Sequence, residues 1–304
     1  MLPPGDKAAG ERADAILARL ERAAAVERDA SAEVTTVSEV LTWQRCPRQA
    51  LYRYVVGDDR RLRFRAGSER GLLPPDLRGT LAHEVLAQAL RGSKAPSLPA
   101  ARWIEGRAAQ LLVPEIDAEA CQATASWARD LARTFLASPL GVRAGQSPLR
   151  SPERPILAPL RLPGGQRIAL RGTLDLLFRP PEGEQASSGW VLVDYKAGDL
   201  TELEVPERLA EDGLQLQLYA VLLEAAGISV SEAWVAYLVP GVATQVELDS
   251  ARAFEVLSDH QRARQELELP ARPGVACETC PWASSCDAAA PRPALSGGSA
   301  LTSP

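Results

Sequence analysis

The sequence predicts an α/β fold, a mixed sheet flanked by helices with a helical insertion before it. Three observations predict this. Helix-forming composition dominates up to Pro152, and alternation of apolar and polar residues takes over after it. A strong helical stretch, Pro206–Ala226, then separates two groups of strand-like runs. Strands on both sides of a helix imply a crossover within one sheet.

Taken in order, residues 7–30 are rich in Ala, Arg and Glu and read as a surface helix, an extension over 1–32. Val37–Val56 reads as a second helix carrying Cys46. Pro75–Leu90 holds a third, opening after Gly79-Thr80, and Leu98–Leu140 reads as two helices separated near Pro114; together they make a helical part over about 75–150. Ile156–Leu162 and Ile168–Phe178 flank Pro163-Gly164-Gly165, turn chemistry that makes them a hairpin. Trp190–Ala197 is the next strand. Pro206–Ala226 is ended by Gly227, and Glu232–Val239 with Ala243–Leu248 form a second hairpin around Pro240-Gly241. Ala251–Leu267 is a helix leading into cysteines 277–286. From Ala288 on, Pro, Ser, Gly and Ala dominate, the composition of a disordered tail covering 288–304.

With 304 residues the chain suits one large domain or one and a half small ones, and its 46% hydrophobic content is enough for a sizeable core. Its formal net charge of −5 excludes a global basic surface. Locally the sign reverses. Eight arginines between Arg45 and Arg70 face only Asp58, Asp59 and Glu69, and Tyr52, Tyr54 and Phe64 interleave with them. Such a segment suits phosphates and stacked bases, although a solvated surface has the same composition. Met1–Gly10 lacks the apolar centre of a signal peptide, and runs such as Leu218–Leu223 are too short to span a bilayer. The expected location is cytoplasmic, where thiols stay reduced. No Gly-x4-Gly-Lys-Ser/Thr run occurs, so the chain carries no phosphate loop of that kind.

Four of the five cysteines are spaced for a metal centre. Cys277, Cys280 and Cys286 form C-x2-C-x5-C, and 230 residues separate them from Cys46. Two thiolates separated by two residues reach one ion across a tight turn. The distant fourth thiolate would staple the N- and C-terminal segments of one domain. Cys121 lies in a helical stretch and reads as an ordinary buried residue.

Chemistry concentrates in Trp190-Val-Leu-Val-Asp-Tyr-Lys196. Alternation places Leu192, Asp194 and Lys196 on one face of the strand. An acid and an amine on an apolar strand are costly to bury without a task, although an edge-strand ion pair has the same pattern. Asp175 interrupts the preceding strand in the same way. Two carboxylates from adjacent strands suit a hard divalent cation. His83 is one of two histidines; His260, in Ser258-Asp-His-Gln-Arg262, reads as surface. Gln215 and Tyr219 are four apart on one helix face, where their polar tips suit a nucleotide backbone.

Together these pieces resemble the RecB-type branch of the PD-(D/E)XK nuclease superfamily, in particular its iron–sulfur members, which include the AddB nuclease domain and CRISPR-adaptation exonucleases. The resemblance runs from about Val37 to Asp287, so the nuclease domain would occupy 33–287 with its catalytic core at about 152–267. It is carried in family order by Cys46-Pro47-Arg48, Gly79-Thr-Leu-Ala-His83, Phe135–Leu140, Glu153-Arg-Pro155, Gly172-Thr-Leu-Asp175, Asp194-Tyr-Lys196, Gln215-x-x-x-Tyr219 and the late cysteines. It implies a restriction-endonuclease-like core and a [4Fe–4S] cluster on Cys46, Cys277, Cys280 and Cys286.

It further implies Mg²⁺ or Mn²⁺ bound by His83, Asp175, Asp194 and the Tyr195 backbone carbonyl, with Lys196 positioning the nucleophile. Arg45, Arg48, Gln215 and Tyr219 would meet DNA, as single strands or ends, and Glu153 would stand behind the ligands. Cleavage would leave 5′-phosphate and 3′-hydroxyl ends, and a motor such as a helicase would be supplied by another chain. Two alternatives stand beside this reading. One is a catalytically silent DNA-binding subunit of a helicase–nuclease complex. The other is a protein stapled by zinc, which four thiolates also suit.

Overall fold

In the computed structural model the described residues are 33–58, 72–92, 95–111, 118–181, 189–278 and 280–289. The expected helix at 7–30, the tail from 290 on, and Arg60, Arg61, Arg63, Arg65 and Arg70 lie outside them. The chain divides into two compact units. Residues up to Leu41 and Phe64–Asp259 belong to the first; Thr42–Arg63 and those from His260 on belong to the second.

The order of elements is β1 (Glu33–Thr36), α1 (Val37–Arg45), α2 (Pro47–Ala50), a π-type turn over Leu51–Val55, α3 (Pro75–Leu90), α4 (Ala101–Gln110), α5 (Ala118–Ala137), α6 (Pro139–Gln146), β2 (Arg150–Arg161), β3 (Arg167–Phe178), β4 (Trp190–Lys196), α7 (Val205–Ala225), β5 (Val230–Tyr237), β6 (Val242–Val246) and α8 (Ser250–Gln265). This is a six-stranded mixed sheet between helices, with a helical insertion before it.

Local chemistry explains where the expected boundaries move. Val37–Val56 is not one helix. Cys46 is extended, with φ −159° and ψ 110°, because the residue before a proline disfavours the helical region, and Pro47 then opens α2 at its first position. Helix α3 starts at Pro75, another proline at a helix start, so Gly79-Thr80 lies inside it. Ser138 ends α5 and caps α6 by accepting from the Gly141 N–H, which adds a helix the composition did not separate. Strand β2 begins at Arg150, earlier than expected, and holds Pro152, Pro155 and Pro159. It pairs only with β3, and an edge strand tolerates residues that cannot donate to a ladder.

The pairing of β3 sets up everything that follows. Antiparallel β2 covers one edge of β3 from Arg167 to Phe178. The other edge is shared: parallel β1 pairs with Ile168–Arg171, and antiparallel β4 pairs with Leu176–Phe178. Between them, residues 172–175 have no strand partner on that edge. Beyond β4 the order continues through parallel β5 to antiparallel β6.

Two apolar clusters cover the two faces of the sheet. Leu192 of β4 joins Leu216, Leu218 and Leu222 of α7 and Val235 of β5 in one. Val191 and Val193 of β4 join Leu81, Val85 and Leu86 of α3, with α4–α6, in the other. Each such fully buried side chain contributes about 1.5–3 kcal/mol of transfer free energy. Alternation along β4 thus ties both helical layers to one strand.

Candidate active site

The site lies where β3 and β4 part. Their ladder ends at Leu176–Val193, and the next register position sets Asp175 across from Asp194. The strands no longer bond there. Instead the Asp175 carboxylate accepts the Tyr195 backbone N–H, at 2.7 Å to Oδ2. On its other side β3 runs in register with β2, and the position opposite Asp175 is Glu153. Glu153 has φ +47°, a left-handed backbone that side chains seldom adopt and that costs on the order of 1–3 kcal/mol. The ladder bonds Pro152 to Leu176 and Arg154 to Leu174 and skips the pair between them. Three carboxylates therefore stand in one row across three adjacent strands.

Helix α3 adds His83 from one face of the sheet. Its Nδ1 lies 3.3 Å from Asp175 Oδ1 and 3.7 Å from Glu153 Oε1. His83, Glu153 and Asp175 each offer a ligand atom, and all three atoms lie within 4.8 Å of one another. The His83 ring meets Tyr195 edge-on at 5.7 Å, and Phe135 packs on Tyr195 at 5.0 Å, which holds the imidazole at the row.

Helix α7 closes the site from the opposite face. Lys196 Nζ lies 2.9 Å from Asp194 Oδ2 and 3.8 Å from Asp212 Oδ1, and it donates to Gln215 Oε1 at 2.8 Å. Gln215 in turn donates to the Tyr219 hydroxyl at 3.2 Å. Asp212 also accepts from the Tyr237 hydroxyl at 3.2 Å. Tyr219 packs close over Gly172, where a Cβ would come within 2.5 Å of its ring. Glycine at 172 is what lets α7 lie close enough to bring Gln215 to the lysine.

The electrostatics follow from burying this many charges together. Burial pushes the Asp194 carboxyl up to about 7, against the opposing pull of Lys196. Burial acts the same way on Asp175, but His83, the Tyr195 N–H and Lys196 outweigh it and hold that carboxyl below its usual range. For His83 burial alone would disfavour the cation; Asp175, Glu153 and Asp194 reverse this and raise it well above the usual imidazole value. Lys196 is likewise disfavoured by burial and raised by Asp194 and Asp212. The site therefore gathers positive charge among its carboxylates even without an ion.

A divalent cation fits these residues. The donor set of carboxylate oxygens with one imidazole is hard, as Mg²⁺ and Mn²⁺ require. Asp194 Oδ2 is buried, and the group nearest it is the Lys196 ammonium at 2.9 Å. His83, Glu153 and Asp175, in contrast, bring one imidazole and two carboxylates within 4.8 Å of one another, the hard donor chemistry such an ion takes.

The second unit holds the cysteines. One cavity is lined by Cys46, Cys277, Cys280 and Cys286 together with Tyr52 and Trp282. All five cysteines of the chain are unbridged, and Cys121 is buried in α5, as expected. The Arg272 N–H donates to Cys46 Sγ at 3.4 Å. Arg48 donates to the Leu269 carbonyl at 3.2 Å and pairs with Asp287 at 3.4 Å, so it ties the late segment to α2; Arg45 is exposed. His260 corrects the surface expectation. It is 2% exposed and packs edge-on against Trp43 at 5.5 Å, because that side of α8 turns inward despite its charged neighbours.

The structure brings His83, Asp175, Asp194, Tyr195, Lys196, Gln215 and Tyr219 to one place, and adds two groups. Glu153 stands in the ligand row itself, rather than behind it. Its signal was a glutamate among prolines, Pro152-Glu-Arg-Pro155, where strand geometry is already broken. Asp212, 8% exposed, had a signal in Asp212-Gly213, a carboxylate beside a glycine one turn before Gln215 on the same helix. No curated protein matches the chain. The family model of the PD-(D/E)XK nuclease superfamily matches residues 34–287, which span both units and every residue of the site. With its mixed sheet and flanking helices in the restriction-endonuclease-like arrangement, the chain belongs to the PD-(D/E)XK nuclease superfamily, whose members are phosphodiester hydrolases.

Proposed function

We propose that this chain is a Mg²⁺- or Mn²⁺-dependent DNA nuclease of the RecB/AddB iron–sulfur branch, acting on single strands or DNA ends in repair, recombination or defence. The observation that carries this reading is the meeting of His83, Glu153 and Asp175 within 4.8 Å of one another, with Asp194 next in the row and Lys196 beside it. A divalent ion bound there would neutralise phosphate charge and acidify the attacking water. Lys196, fixed by Asp194, Asp212 and Gln215, is set to stabilise negative charge as it grows on the phosphate. The acidic row repels a phosphate on its own, so the same residues that hold the ion make cleavage depend on it.

Four thiols lining one cavity suit a [4Fe–4S] cluster, which the family resemblance favours, and equally suit zinc; absorbance near 400 nm distinguishes the two. A cytoplasmic location keeps such a centre reduced, and a helicase acting in trans would deliver the strand.

End-labelled single-stranded and duplex DNA, incubated with the protein and Mn²⁺, tests the nuclease reading. Expected is cleavage that stops on chelation; absence of cleavage with Mg²⁺ and Mn²⁺ on both substrates would overturn it. The same assay carries a pH prediction. A metal must displace protons from Asp194, raised to about 7, and from His83, also raised. The apparent affinity for Mn²⁺ should therefore weaken as pH falls through 7, and still strengthen above it. A plateau reached already near pH 5 would contradict these shifts.

Asp212 acts through Lys196, as a positioning residue. Asp212→Asn should lower kcat by roughly ten- to a hundredfold while leaving KM for DNA nearly unchanged. A rise in KM with kcat preserved would instead assign Asp212 to substrate binding.

A further inference from the structure

The metal-ligand row opens into a groove of about 690 Å³ lined by one side of α3, by Trp103 and Arg107 of α4, and by Glu153 and Gly198. Because His83 and Glu153 are part of its wall, the nuclease reading makes this groove the path of the strand to be cut. Its charge is poorly suited to a phosphate backbone. Asp76, Glu84 and Glu153 oppose only Arg91 and Arg107 among the groove's carboxylates and guanidinium groups, and Arg107 is already bound to Glu84, at 2.5 Å and 2.6 Å. Phosphate attraction along these walls cannot supply the grip.

An aromatic ring can. Trp103 and Arg107 stand four apart on one face of α4, and the forked bond from Arg107 to Glu84 fixes that face beside His83. Ile104 and Ala108, at 1% and 0% exposure, anchor the helix from its other side. Trp103 itself is 37% exposed, a large indole left open in the wall of a groove that leads to the ligands. Burial elsewhere does not require it there.

Resting on the nuclease reading, we propose that Trp103 is a base-stacking subsite that selects an unpaired strand. A base offers its flat face to an indole only when it is not stacked within a duplex, and each such stack is worth on the order of 1–3 kcal/mol. The groove would then discriminate by base accessibility.

Fluorescence anisotropy of the full chain, with Ca²⁺ in place of Mn²⁺, tests this on a short single-stranded oligonucleotide and on a blunt duplex of equal length. Trp103→Ala should raise Kd for the single strand roughly 5- to 100-fold and leave duplex affinity unchanged. Trp103→Phe, which keeps a ring, should retain most of the affinity. Moving one abasic site along the oligonucleotide should locate a position whose loss and Trp103→Ala are not additive, the sign of direct contact. If wild-type protein cleaves DNA but Trp103→Ala binds single strands as wild type does, or if every abasic position is additive with it, the subsite is overturned. If the wild type neither binds nor cleaves any DNA, the nuclease reading fails and this inference goes with it.

Discussion

Lys196→Ala should reduce phosphodiester cleavage by about 10²–10³-fold while single-strand binding in Ca²⁺ is retained. The magnitude is that of removing one preorganised electrostatic contact from a water-poor site. Lys196 is the cation at the β4 end of the carboxylate row, 2.9 Å from Asp194, and its head is fixed from two further directions by Asp212 and Gln215. Removing it deletes a charge that the transition state needs more than the bound substrate does, so kcat falls and KM stays. Lys196→Arg should rescue poorly, since the planar guanidinium cannot occupy the same three-cornered cradle. Single-turnover cleavage with saturating enzyme gives the number directly. Activity within a few-fold of wild type would remove Lys196 from the mechanism and leave the acidic row as a binding site only.

Loss of any one of Cys46, Cys277, Cys280 and Cys286, the proposed cluster ligands, should unfold the second unit while the sheet stays intact. Neither of the two apolar clusters includes a residue of that unit. Its described buried apolar residues are few, chiefly Trp43, Ala50, Leu269 and Trp282 around Cys46. A unit this small rarely holds together on such a core, and the free energy of a structural metal centre, on the order of 10 kcal/mol, then becomes folding free energy. Cys277→Ser should abolish absorbance near 400 nm and expose the chain beyond Asp259 to limited proteolysis. Thermal melting of the rest should shift little. A colourless, zinc-containing protein after anaerobic purification would overturn the iron–sulfur assignment. Unchanged protease resistance in Cys277→Ser would show that the centre is not what holds this unit.

How legible all this was in the sequence depended on how far each feature relies on distant partners. Strand β4 announced itself because Trp190-Val-Leu-Val-Asp-Tyr-Lys196 alternates within seven residues and buries both faces. Strand β1 did not: Glu33-Val-Thr-Thr36 is four residues long and exists through its parallel pairing with β3, over 130 residues away. Asp175 was visible as a charge among leucines, whereas Glu153 joins it only through one left-handed residue at the matching register position. The family motifs pointed to Gln215 and Tyr219 as contacts of the nucleotide backbone. The structure has Gln215 accept from the lysine and donate to Tyr219, an arrangement that depends on how closely α7 approaches Gly172. His260 misled because its neighbours are charged, while in the fold it packs against Trp43.

The second unit is assembled from two stretches of chain with roughly 200 residues between them. At 5–20 residues per second, a ribosome needs about 10–40 s to make the intervening part. Throughout that interval Cys46 has been synthesised but its three sulfur companions have not. Loading of the proposed centre would therefore wait for Cys286, and a nascent protein stalled before Cys277 would carry a finished sheet with Cys46 still lacking all three of its proposed partners.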